Sequence, residues 1–270
     1  MAVNRPKAGW AGIRGDLHHL GIANRGRLRK MQVIMSGGKV KRMVVLANSV
    51  KRSHWCVAGK ELFGGEGNWM PGLWVRPVDP AHEGAIAAET MRLEENRMPR
   101  FLDIVDVPIL NHFHDNNHPE DWIIDPARRW ERRGKFPYGE LDKLVDRPVD
   151  LWSSRTDAAK VPAGYVRRMF QPATLYLIRP EGAVCARVFK EGPKLRRRLH
   201  LRYHDVEHEF AITDPLFESH YPIMGRRLDA GPVEIPLAAD GRLHLCLSLT
   251  PEFNGAHYKI AATIWEAPPA

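Results

Sequence analysis

Met43–Leu62 reads MVVLANSVKRSHWCVAGKEL. An apolar run of strand length, Met43–Ala47, breaks at Asn48-Ser49, crosses Lys51, Arg52 and His54, and resumes as Cys56-Val-Ala-Gly-Lys. Short apolar runs bounded by polar and Gly breaks mark β-strands, and the sustained period of about 3.6 residues that a helix needs is missing. The same punctuation recurs outward from this stretch. Leu73–Val78, Leu102–Leu110 and Asp121–Ile124 are expected strands. So are Thr174–Arg179, Ala183–Phe189, Leu195–Tyr203, Glu209–Thr213, Leu243–Leu249 and Tyr258–Trp265 in the second half. Asp103 and Asp106 break strict alternation, which places a bulge near Val105, and Pro108 places the end of its strand at a sheet edge. Helical turns are expected within Ala81–Asn96, over Gly139–Val145 and after Asp214-Pro215, where an N-cap precedes a proline.

At 270 residues, 44% hydrophobic and 27% charged, the chain suits one large or two small globular domains. It has no apolar run near the roughly 18 residues that a membrane-spanning helix requires. Cys56, Cys185 and Cys246 are odd in number and far apart, so neither a disulfide framework nor a Cys-x-x-Cys zinc site is expected. With no secretory-signal pattern, the expected compartment is the cytoplasm. The net charge is +8, but residues 1–34 hold seven basic side chains against Asp16 alone, so six of those eight charges belong to the leader. Residues 1–40 are expected to be a disordered basic extension, or an over-extended gene start, since Met35 and Met43 precede the first strand. The remainder is nearly neutral, so the pI of 9.5 does not by itself indicate a basic binding face.

Short strands with few helical turns predict a mostly β protein with a minor α+β character: two tandem small barrels rather than a layered α/β fold. The expected domains are 41–150 and 173–268, joined by a Pro- and Ser-bearing linker at 151–172. In order, VVLANSVKRSHWCVAGKEL, LWVRPVD, FLDIVDVPIL, EDWIIDPARRW, FAITDPLFE and LHLCLSLT…YKIAATIW resemble the dual-OB-domain family of prokaryotic proteins, over roughly residues 42–266. The resemblance implies two OB-type barrels. It also implies nucleic-acid binding, with defence against mobile elements among the roles inferred for the family.

The residues suggest how such binding would work. Trp74 and Arg76, two apart on one strand, share a face, so an indole could stack a base beside a guanidinium, with Trp55 or Trp69 helping. Alternatively Trp74 fills the barrel and Arg76 pairs with Asp79 or Asp103. Phosphate contacts are expected from Arg52, Lys60, Arg76, Lys259 and the stripe Arg196, Arg198, Arg202, which alternation places on one side of its strand. The expected partner is single-stranded nucleic acid or a nucleotide-like ligand, with no cofactor, metal or catalytic residue and no membrane partner. Two alternatives stay open: a metal-dependent nuclease or nucleotide hydrolase using His112, His114 and His118 with Asp103 or Asp106, and a protein-interaction adaptor. Cys56 reads as a small hydrophobe rather than a nucleophile, because its only near base, His54, is two residues away.

Overall fold

The computed structural model describes residues 39–51, 54–94, 96–113, 118–152, 157–169, 173–223, 228, 231–238 and 240–267. The expected leader up to residue 38, Arg52, and His114 with Asp115 lie outside the described residues.

The first sheet is built from β1 (Lys39–Lys51), β2 (His54–Phe63), β3 (Met70–Val78), β4 (Asp103–His112), β5 (Asp121–Ile124) and β6 (Glu131–Lys135). Its order is β1-β2-β3-β5-β4-β6, and an added β1–β4 pairing closes the first five strands into a ring. The β3–β5 pair is parallel; the other pairs are antiparallel. The second sheet uses β7 (Lys160–Pro162), β8 (Leu175–Ile178), β9 (Val184–Glu191), β10 (Lys194–Tyr203), β11 (Val206–Ile212), β12 (Val233–Pro236), β13 (Leu243–Leu249) and β14 (Ala256–Glu266). Its path runs β12-β9-β10-β11-β14-β13-β8, with β7 on β14. Within it β9-β10-β11-β14-β13 repeats the order of β1-β2-β3-β5-β4, down to a parallel pair, β11 with β14, in the same place. This five-strand order, closed into a ring by pairing in the first sheet and followed as a path in the second, is the tandem OB architecture.

The expected strands are present, and several run longer. The bulge near Val105 is found as a register shift between Ile104 and Val105 against β6. Pro108 is a correction. It pairs with Val40 of β1, inside the sheet, where the other edge of β4 passes from β6 to β5, so a missing N–H is tolerated there. Among the described residues, Ala81–Asn96 holds a 3₁₀ turn, Pro80–His82, and the short α1 (Ala88–Met91), whereas Gly139–Val145 overlaps a 3₁₀ helix over Tyr138–Leu144. After Asp214-Pro215 comes α2 (Phe217–His220), with the Asp214 carboxylate accepting the Leu216 N–H at 2.8 Å.

Alternation sorts the apolar side chains into three cores. Met43, Val45, Val57, Val75, Val105, Val107 and Trp130 fill the first barrel. Leu199, Leu201, Phe210, Ile235, Leu245 and Ile264 fill the second, joined by Leu151, Trp152, Val161 and Val166 from the stretch expected to link the two. The third core is a seam. Val44, Leu46, Ala58, Leu62 and Ile104, on the outer face of the first sheet, and Trp69, just before β3, pack with Leu175, Leu177, Cys246 and Ala262 of the second.

Candidate functional site

β2 and β3 bring Lys60 and Trp74 opposite each other in register. Both turn into the seam. The Lys60 ammonium lies 2.6 Å from one Asp146 oxygen, and the Trp74 indole N–H donates to the other at 3.1 Å. The Leu177 N–H of β8 donates to that second oxygen at 2.9 Å. Asp146 therefore ties β2 and β3 to the second sheet, and Lys60 is buried. Trp69 is also buried in the seam, and Trp55 packs against the first core. The expected solvent-facing platform is thus corrected: Trp74 and Arg76 share a face, but the second barrel covers it. Alternation shows which residues share a face; it cannot show what covers that face.

Arg76 forms a two-pronged pair with buried Asp121 of β5, at 2.6 and 2.8 Å, rather than with Asp79 or Asp103. Burial works against the guanidinium charge, but Asp121 and Glu120 outweigh it and hold its pKa above the ordinary value. Beside this pair lies a buried chain. The Thr174 hydroxyl donates to Glu120, so it accepts from His118 Nδ1–H at 2.7 Å. That assignment leaves His118 Nε2 as a bare acceptor with no partner among the described residues. Burial, with Arg76 nearby, lowers the His118 pKa and keeps the ring neutral.

The remaining expected residues are dispersed. Lys259 is buried in the second barrel and donates to His208 Nδ1 at 3.0 Å. The stripe on β10 stays on the outer face, as alternation predicts, with Leu199 and Leu201 inward. Each arginine there meets a glutamate: Arg196 with Glu191 at 2.7 Å, Arg198 with Glu209 at 3.1 Å, Arg202 with Glu207 at 2.7 Å. Cross-strand register adds two neighbours on that face. Phe189 of β9 stands opposite Arg196, and Arg187 opposite Arg198.

For the hydrolase alternative, Asp103 is held by Arg97 and Arg132, and Asp106 by Arg42 and Arg133. Burial pushes both carboxyls up, but these arginines outweigh it and leave them below the ordinary carboxylate range. His112 bonds the Pro119 carbonyl at 2.6 Å. Among the described residues no three His, Cys, Asp or Glu side chains are grouped as metal ligands.

Sequence reasoning missed one surface. Residues 128–135, RRWERRGK, carry five basic side chains against Glu131. Trp130 is fully buried and pins the segment to the first core, leaving Arg128, Arg129, Arg133 and Lys135 outside on β6 and the turn before it. Averaging charge over the whole body hid this local density, which a short sliding count would have found.

Two linked barrels of OB order, one outer face sealed and the other open, define a tandem OB-fold binding protein. The chain belongs to the family described as dual OB-containing domain, whose model matches residues 41–264. No curated protein matches it. Among the described residues no helix is long and apolar enough to cross a membrane.

Proposed function

We propose that the chain binds single-stranded nucleic acid on the outer face of its second barrel. OB barrels take oligonucleotides on the face made by their second and third strands. In the first barrel those strands are β2 and β3, and the seam covers them. In the second they are β10 and β11, whose outer face is half-exposed and carries Arg196, Arg198 and Arg202, with Phe189 alongside on β9. That open, arginine-striped face is the observation that carries the reading. The glutamate pairs do not block it. Solvent-exposed ion pairs are each worth only about 0–1 kcal/mol, so phosphates can replace carboxylates at little cost, while Phe189 offers a ring for a base.

The test is fluorescence anisotropy with fluorescein-labelled oligo-dT and oligo-U at several salt concentrations. Binding should weaken with salt, and the triple variant Arg196→Ala, Arg198→Ala, Arg202→Ala should flatten the log–log salt slope by about 2, at roughly 0.7 per lost contact. Phe189→Ala should cost about 1–3 kcal/mol. If only Arg129→Ala with Arg133→Ala lowers affinity, the strand lies along β6 instead and the second-barrel reading fails. A second reading, a protein-interaction adaptor, is favoured by Phe63, Met70 and Leu73, all exposed on the β2–β3 hairpin, Leu73 to 83%. It prevails if no oligonucleotide binds and these three side chains are needed to hold a protein partner.

A further inference from the structure

A cavity of about 300 Å³ opens where the two barrels meet, and no residue of β10 lines it. Its walls come from both barrels: Trp55, Met98 and Phe101 from the first, Leu216, Ile264 and Trp265 from the second. Nothing in the binding reading above uses it. We propose that this cavity is a binding site for a small aromatic carboxylate that carries a ring N–H.

Three features converge on that ligand. The first is an apolar slot with fixed walls. Phe101 and Trp265 lie with ring centroids 4.8 Å apart, which ties one wall to the other. Each wall is also held by backbone. The Asn48 amide donates to the Pro99 carbonyl at 2.9 Å, and the Leu102 N–H to the Val45 carbonyl at 2.8 Å, so residues 98–101 are fastened to β1. On the other side the Thr213 N–H donates to the Ala261 carbonyl at 2.9 Å, and the Ile264 N–H to the Asp214 carboxylate at 2.8 Å. These two bonds fasten the turn at 214–216 to β14. An apolar cavity whose walls are fixed before the ligand arrives favours a flat, rigid ring, because little conformational freedom is lost on binding.

The second feature is an acceptor without a donor. Asn48 lines the cavity, and its bond to the Pro99 carbonyl fixes which end of its amide is nitrogen. The other end, Oδ1, is buried and has no hydrogen-bond partner among the described residues. A buried oxygen left in that state costs free energy that a donor from a ligand recovers. A ring N–H is the group that supplies it while keeping the ligand flat.

The third is charge. The titratable side chains lining the cavity are Arg100, Asp214 and His220. The Asp214 oxygens accept the Leu216 and Ile264 N–H groups, each at 2.8 Å, and burial holds its carboxyl above the ordinary range. His220 is exposed beside it. Arg100 is exposed too. Its backbone N–H donates to Asp103, but its guanidinium makes no ion pair or hydrogen bond among the described residues. A guanidinium at the edge of an apolar slot offers a carboxylate two parallel N–H groups. One such cation, with Asp214 on the same cavity, suits a single negative charge rather than a phosphate dianion.

The experiment titrates the full chain with three probes: indole-3-acetate, the neutral indole-3-acetamide, and 1-naphthylacetate, which keeps the carboxylate but lacks the ring N–H. Calorimetry reads the affinities, and the indole N–H signals of Trp55 and Trp265 in ¹⁵N spectra report the site. Indole-3-acetate should bind and shift both signals. The acetamide should bind about fivefold more weakly, the scale of one exposed ion pair. The naphthyl acid should also lose about fivefold, the scale of one hydrogen bond. Arg100→Gln, at an exposed position that leaves the cores intact, should erase the preference for the acetate over the acetamide. Leu216, 54% exposed, lies at the mouth, and Leu216→Trp should fill the slot and abolish binding. The Arg196, Arg198, Arg202 triple variant should leave indole-3-acetate affinity unchanged, so the cavity and the oligonucleotide face stand or fall separately. Absence of indole-3-acetate binding at millimolar concentration overturns the proposal. So does equal binding of the three probes, binding that Leu216→Trp leaves intact, or binding that leaves the Trp55 and Trp265 signals in place.

Discussion

Gly59 answers a question posed by Cys56-Val-Ala-Gly-Lys: why a buried strand should carry a glycine. A Cβ built there would lie 1.9 Å from the Val44 carbonyl oxygen and 3.3 Å from Val45 Cα, both of them backbone. Here Gly59 of β2 stands opposite Val45 of β1, beside the register shift between Val45 and Ala47. Backbone cannot move aside as a side chain can. Gly59→Ala should therefore destabilise by about 3 kcal/mol or more, read as a lower urea midpoint with an unchanged slope. A loss under about 1 kcal/mol would mean that the strands slide apart cheaply. At this scale the sequence was legible in kind but not in partner. Alternation placed Trp74 and Arg76 on one face and Arg196, Arg198 and Arg202 on another, both correctly. Asp121 and Asp146 could not be named as their partners, because they lie 45 and 72 residues away, from Arg76 and Trp74 respectively.

At the scale of elements, strands with strong apolar character were read and weak ones were not. β6 reads ERRGK and β7 reads KVP; neither has the apolar alternation that marks a strand, and both pair only because a neighbour offers an edge. β12, VEIP, ends in a proline and lies at the end of its sheet, where a missing N–H costs nothing. The β10–β11 hairpin was expected to turn over five residues but turns over two, His204 and Asp205, both left-handed at φ 45° and 62°. Two left-handed residues define a type I′ turn, for which Asn-Gly is the favoured pair. His204→Asn with Asp205→Gly should raise stability by roughly 0.5–1 kcal/mol, seen as a higher melting temperature. Because the turn lies beyond the arginine stripe, oligonucleotide affinity should not change.

For the molecule as a whole, the buried Lys259–His208 pair sets a pH response. Burial lowers Lys259 to about 8, and burial with Lys259 alongside lowers His208 to about 4. Between pH 4 and 6.5 the unfolded chain protonates this histidine and the folded chain does not, so stability falls as pH falls through that window. Between pH 8 and 10.5 the unfolded chain keeps the lysine proton that the folded chain has released, so stability rises as pH rises. Chemical denaturation at about pH 8 and pH 9.5 should show that rise, before the tyrosines titrate. Lys259→Met should abolish it. A flat profile in the intact protein would mean that the lysine stays charged inside the barrel.

The seam also bears on how the protein is made. β1 to β6 leave the ribosome first, and their outer face is complete before β8 and β13 exist to cover it. At about 5–20 residues per second, the remaining 125 or so residues take roughly 6–25 seconds to appear. For that interval the nascent first barrel carries Leu46, Leu62 and Trp69 bare on its surface. Translation speed across the second half therefore sets how long that apolar face stays uncovered.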